Sequence, residues 1–279
     1  MRISDACRVR LHDSIGLAAQ NSRPVWCYGN YIFCKSQLRQ QIMPISISTS
    51  LADFLSSPQA KTWRDLPFFR NGDAKRICTE LDRKRNEGAK ILPPPQAIFN
   101  AFSLTPFDSV KVVILGQDPY PTSGDAHGLA FSYIGNRRLP ASLRTILDEV
   151  GSDIRNESQP VRPTVGDLTP WACQGVLLLN TALTVEEGNA GAHLKLGWQA
   201  LADQAITALS EQRPAVAFLL WGGQARQRAA LIDSTKHLVL QSGHPSPLNR
   251  LRDFRGSHPF SQANAWLIER GQAPVDWNL

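Results

Sequence analysis

A chain of 279 residues, 42% hydrophobic and 19% charged, can build a globular domain with a well-buried core. No apolar run approaches the roughly 18 residues of a membrane-spanning helix, so a soluble protein without membrane contact is expected. The formal net charge is +6, but residues 1–42 carry six Lys/Arg against two Asp/Glu and hold most of that excess. Bulk charge therefore says little about nucleic acid, and any basic surface must be local.

Residues 1–42 show no sustained helical or strand period, and they hold Cys7, Cys27 and Cys34. Asp5 and Asp13 interrupt the acid-poor pattern of a transit peptide. Residues 1–42 thus read as an atypical extension, with Met43 the better candidate for the true start and residues 43–279 a single domain. The remaining thiols are Cys78 and Cys173. Without a C-x-x-C pair, no zinc or iron–sulfur site is expected, and the cysteines read as inert thiols of a reducing compartment such as the cytoplasm.

From about residue 50 helices and short strands alternate. Ser50 reads as the cap of a helix through residues 51–55, and residues 73–87 read as a charged, solvent-facing helix. Four short apolar runs follow, at residues 110–115, 176–179, 215–220 and 237–240. Their near-continuous apolarity suits strands covered on both faces, and helical patterns at 142–150, 198–211 and 223–232 lie between them. The expected architecture is α/β, a doubly wound, four-stranded parallel sheet flanked by helices on both faces.

Ligands of such sheets bind beyond the carboxyl ends of the strands. There the chain has Gly116-Gln117-Asp118-Pro119-Tyr120-Pro121, Asn180-Thr181, Trp221-Gly222-Gly223 and Gln241-Ser242-Gly243-His244-Pro245-Ser246-Pro247-Leu248. An acid, an amide and an imidazole would converge on one edge. Singly, each has a plainer reading. An Asp-Pro is usually a turn, a buried amide usually ties down a loop, and a loop histidine is usually structural. Phe131 would by default be core, or else a platform on which a planar base stacks. Arg137 and Arg138 on one loop, and Arg250, Arg252 and Arg255 on another, read as solvated faces or as phosphate holders.

Taken together, these motifs resemble the family 1 uracil-DNA glycosylases. The resemblance covers about residues 63–279. It rests on the Gln-Asp-Pro-Tyr stretch, His127-Gly128-Leu129-Ala130-Phe131-Ser132, Leu178-Leu179-Asn180 with Leu183-Thr184-Val185, Leu220-Trp221-Gly222, and His244-Pro245-Ser246-Pro247-Leu248. Five matches in the family's order are specific. The resemblance implies a cofactor-free, monomeric repair enzyme that flips uracil out of single- or double-stranded DNA and hydrolyses its glycosidic bond.

By the same resemblance, Asp118 orients water and stabilises the sugar cation, while His244 donates to uracil O2. Phe131 stacks on the base, Asn180 reads its edge, Tyr120 walls off C5, and the backbone of Gln117 helps hold the base. Ser142 and Ser246 match loops that grip the DNA backbone. Leu248 matches the wedge that fills the vacated space, and His193 matches a position near the DNA; Arg252, in the arginine run after the histidine loop, is expected to contact DNA from its charge and place alone. A proteinaceous inhibitor could target the same edge. Pro121 stands where many members have histidine, Asn249 where serine is frequent, and residues 186–192 diverge. A uracil- or single-strand-binding module without turnover is the alternative, but it has no use for a carboxylate aimed at a sugar beside phosphates.

Overall fold

The computed structural model describes residues 45–155, 164–251 and 253–279. The expectations for residues 1–42, and for Arg252, lie outside the described residues. In chain order the elements are α1 (Ile47–Ser56), α2 (Pro67–Arg70), α3 (Asp73–Asn86), β1 (Ile91–Leu92), α4 (Asn100–Leu104), β2 (Val112–Gly116) and α5 (Ala141–Arg155). There follow α6 (Thr169–Ala172), β3 (Val176–Asn180), β4 (Val185–Glu186), α7 (Trp198–Gln212), β5 (Ala217–Trp221), α8 (Gly223–Arg226), β6 (Leu238–Ser242) and α9 (Pro259–Glu269).

Four strands form one parallel sheet in the order β3-β2-β5-β6. Every residue of β2, β3 and β5 is buried, so both faces of the sheet are covered, as the continuous apolarity demands. At the edge, β6 is only half-covered, and Gln241 within it is exposed. Three strands begin one or two residues later than their apolar runs, and all four end later. The ladders continue through Gly116↔Asn180 and Trp221↔Ser242, pairs that hydropathy alone does not mark.

Three helical expectations need correction. Ser46, not Ser50, caps α1, its Oγ accepting from the Thr49 N–H at 2.9 Å, while Ser50 is buried inside the helix. The Asp82 carboxylate completes the cap by accepting from the Ile47 and Ser48 N–H groups at 2.7 and 2.9 Å. Helix α3 is charged on one face only; Ala74, Ile77, Cys78 and Leu81 recur at helical spacing and are buried. The pattern at 223–232 divides into α8 and a 3-10 turn over Gln227–Leu231. The elements not anticipated include the short helices α2, α4 and α6, the helix α9, and the antiparallel β1–β4 pair, in which Leu92 faces Val185.

Helix α9 starts where His258 takes a left-handed φ of 49°. Its first turn is capped from α5: the Asp153 carboxylate, 1% exposed, accepts from the Phe260 and Ser261 N–H groups, both at 2.9 Å. Glu149, one turn earlier, accepts from the N–H groups of Gly256 at 2.8 Å and His258 at 3.1 Å. Two buried carboxylates thus anchor the segment that follows the histidine loop. Asp153→Ala should cost about 2 kcal/mol of stability by stranding those amides, measured by urea unfolding. A loss below about 0.5 kcal/mol would show that the cap contributes little.

Candidate active site

Strand order decides which loops meet. Because β2 lies between β3 and β5, the loop after β2 sits where the sheet's winding reverses, flanked by the ends of its neighbours. A cavity of about 220 Å³ opens there, lined by Gln117, Asp118, Tyr120, Phe131, Ser142, Asn180 and His244. Among the described residues no group of three His, Cys, Asp or Glu side chains could hold a metal ion.

Asp118 is half-buried. Burial pushes its carboxyl above the ordinary carboxylate range, opposed by hydrogen bonds from the Gly191 N–H at 2.7 Å and from the Gln117 side chain. Gly191, in the left-handed region at φ 79°, was not singled out from the sequence. Its only signal there is a pair of glycines three residues apart, Gly188 and Gly191, in the divergent stretch.

Asn180, the last residue of β3, is 5% exposed and lines the cavity. No protein group among the described residues hydrogen-bonds its amide. A buried amide left free on a cavity wall is available to a ligand. Its position depends on Gly116 across the ladder: a Cβ there would lie 2.2 Å from Asn180 Oδ1 and 2.9 Å from Ala130 Cβ.

Phe131 adopts φ 62°, rare and strained for an aromatic residue. Three hydrogen bonds hold that stretch: Tyr120 Oη donates to the Phe131 carbonyl at 2.8 Å, Ala130 N–H to Leu178 O at 3.0 Å, and Ser132 N–H to Leu129 O at 3.3 Å. The ring is tilted against Trp221 and His244, with centroids 5.7 and 5.9 Å away. Tyr120 is itself fixed by an edge contact with Tyr133 at 5.8 Å, and burial pushes its hydroxyl pKa up.

His244 follows β6. The Ser246 N–H donates to its Nδ1 at 3.0 Å, so the neutral ring carries its proton on Nε2. Burial holds its pKa below the ordinary histidine value, which favours that neutral form. Ser246 Oγ accepts from the Leu248 N–H at 3.2 Å, a turn that leaves Leu248 89% exposed at the loop tip.

His193 does not behave as a surface residue. It is 1% exposed, and its Nδ1 lies 3.0 Å from Thr184 Oγ1, which also accepts from Trp198 Nε1 at 2.8 Å. It is buried there, unlike the near-surface position expected of it, and its Nε2 has no hydrogen-bond partner among the described residues. Pro121, one of the departures from the family pattern, lines the cavity, and its carbonyl accepts from the Gly188 N–H at 2.7 Å.

The Gly116–Asn180 approach is testable by stability alone. Gly116→Ala should destabilise the fold by about 1–3 kcal/mol, because the methyl must displace a buried amide or the neighbouring strand. Unfolding at the wild-type denaturant midpoint would show that the amide moves freely.

The Uracil DNA glycosylase superfamily model matches residues 102–268. A uracil-DNA glycosylase of Phocaeicola vulgatus is 50% identical over 199 residues, 71% of this chain and 89% of that protein. One from Neisseria gonorrhoeae is 47% identical over 225 residues, 78% of this chain and 99% of its own. Among solved structures, the mimivirus uracil-DNA glycosylase superposes with a TM-score of 0.73 at 26% identity, covering 84% of this chain and 91% of its own. A Y322L variant of the mimivirus enzyme, in complex with UGI, matches with the same score and identity over 84% of this chain and 92% of its own. With half the sequence shared across most of the chain, and the same fold beneath it, this protein belongs to the uracil-DNA glycosylase superfamily.

Proposed function

We propose that residues 43–279, whose contacts group them as one unit, excise uracil flipped from single- or double-stranded DNA in the cavity beyond β2, leaving an abasic site. The observation that carries this reading is the meeting of a half-buried carboxylate, an unengaged amide and a neutral imidazole around one strained aromatic ring.

Each group then has a task. Phe131 stacks on the flipped base. The Asn180 amide accepts from uracil N3–H and donates to O4, a pattern cytosine cannot meet because its N3 is an acceptor and its N4 a donor. Tyr120, locked by its hydroxyl and by Tyr133, stands against C5, where thymine would bring a methyl. Backbone groups of Gln117 help seat the base. As the bond between C1′ and N1 breaks, its electron pair passes to the uracil ring, and the His244 Nε2–H donates to the charge growing on O2. Asp118 stabilises the sugar cation and orients the water whose oxygen bonds to C1′, taking the proton that water releases.

Ser142 on the cavity wall and Ser246 on the histidine loop suit contacts with the DNA backbone, and Leu248 suits insertion into the stack. Such an enzyme works as a monomer. A protein such as the UGI complexed with the mimivirus enzyme would reach this chain at the same edge. No described helix is long and apolar enough to cross a membrane, and the absence of any C-x-x-C pair from the sequence suits a reducing compartment such as the cytoplasm.

The test uses oligonucleotides carrying one uracil, thymine or hypoxanthine, incubated with a chelator and then cleaved with alkali. Scission at uracil alone is expected. Binding of uracil DNA without scission would favour the alternative of a binding module. Asp118→Asn should lower single-turnover release by at least about a hundredfold while binding persists.

The reaction needs Asp118 ionised, so the wild-type rate should fall as pH drops through a midpoint above the ordinary carboxylate value of about 3.9. Protonation of His244 would lower it further, at a midpoint below about 6.5. Because burial raises the folded-state pKa of Asp118, its charge works against folding above its unfolded pKa. Asp118→Asn should therefore melt no lower than wild type at pH 7. Near-normal release by the variant would contradict the assignment.

A further inference from the structure

Beside the cavity, a second and larger hollow carries charge that the reaction does not use. It is a groove of about 1020 Å³ against α5, and its walls include Arg137, Arg138, Arg144 and Arg255. Two of these are paired: Arg137 with Asp125 at 2.5 Å, and Arg255 with Asp148 at 2.8 Å. Arg138 is exposed, and no carboxylate among the described residues pairs with it or with Arg144. The Nε of Arg144 is buried and has no hydrogen-bond partner there. A guanidinium donor kept from water and left unengaged is unfavourable until an acceptor arrives.

The groove is joined to the active site. Between them lies a smaller hollow that shares His244 with the base cavity and shares Thr145, Pro247 and Arg255 with the groove. The path therefore runs from the flipped base, past the histidine loop, into the arginine walls.

We propose that this groove binds the phosphodiester backbone of the substrate strand several nucleotides from the excised base, with Arg138 and Arg144 as its principal phosphate contacts. Planar guanidinium forks match phosphate oxygens, and their neutralising of phosphates releases counterions, which makes binding salt-dependent. The inference rests on the excision reading above, but its test does not need turnover.

Two single strands distinguish the effects: a pentamer with central uracil, too short to leave the pocket, and a 25-mer that enters the groove. Arg138→Gln and the Arg138→Gln/Arg144→Gln pair are compared with wild type. On the pentamer kcat/KM should stay within about twofold. On the 25-mer it should fall about tenfold at low salt for the double variant. Binding of a uracil-free 25-mer, followed by fluorescence anisotropy, should show a log–log salt slope shallower by about 0.7 for the single variant and about 1.4 for the double.

Arg138 is exposed, so its single variant reports even if the double variant folds poorly. Unchanged slopes would overturn the groove, as would an equal loss on both lengths, which would place these arginines at the pocket. Unchanged slopes with weakened binding of an acidic protein would reassign the surface to protein docking. Failure of the excision reading shows separately, as no uracil released from either strand by the wild-type enzyme.

Discussion

Keeping a carboxylate charged in a half-buried cavity is the constraint around which the rest of this site is arranged. Asp118 sits just past the central strand, where burial pushes its proton affinity up. A charge so placed is tolerable only with donors aimed at it, and a backbone N–H from Gly191 supplies one. The loop bearing Gly191 is itself fastened, through Gly188 to the Pro121 carbonyl and through Glu187 to the Lys90 carbonyl beside β1. The small antiparallel ribbon thus holds the loop that holds the carboxylate. The desolvation that disfavours the charge at rest is what makes it effective against a cation in the transition state.

The opposite end of the cavity follows a similar logic with an opposite proton balance. His244 is kept neutral by burial, and its tautomer is set by a backbone N–H two residues on. A protonated ring would also donate to the base, but it would hold its charge before the reaction as well as during it. A neutral donor strengthens its bond as the uracil anion forms, which favours the transition state selectively. Between acid and imidazole, Phe131 is held in a left-handed backbone conformation that disfavours it by about 1–3 kcal/mol. The hydroxyl of Tyr120 helps hold it there, so the residue facing C5 also fixes the stacking platform.

Much of this was legible in the sequence, for physical reasons that can be named. Strands buried on both faces leave continuous apolar runs, so the parallel sheet and the polar residues beyond its ends could be placed in advance. What stayed hidden depends on partners distant in sequence. Asp82 completes the cap of α1, and Asp153 on α5 caps the first turn of α9; neither carboxylate leaves a local mark at the helix it caps. Helix α3 was misjudged because its charges outnumber its buried residues, although those residues keep helical spacing. The burial of His193, at a position that the resemblance places near the DNA, is likewise not visible from motif position alone.

The central claim is that the Asn180 amide, held against Gly116 and free of protein partners, reads the edge of the flipped base. The most direct measurement is base release by Asn180→Asp from DNA carrying a single cytosine, compared with wild type. A carboxylate accepts from the cytosine N4 amino group, where the amide presents a donor. Cytosine release should rise by about tenfold or more, the discrimination of one well-placed hydrogen-bond pair, while uracil release falls. Loss of uracil release with cytosine-containing DNA left intact at high enzyme concentration would contradict the account.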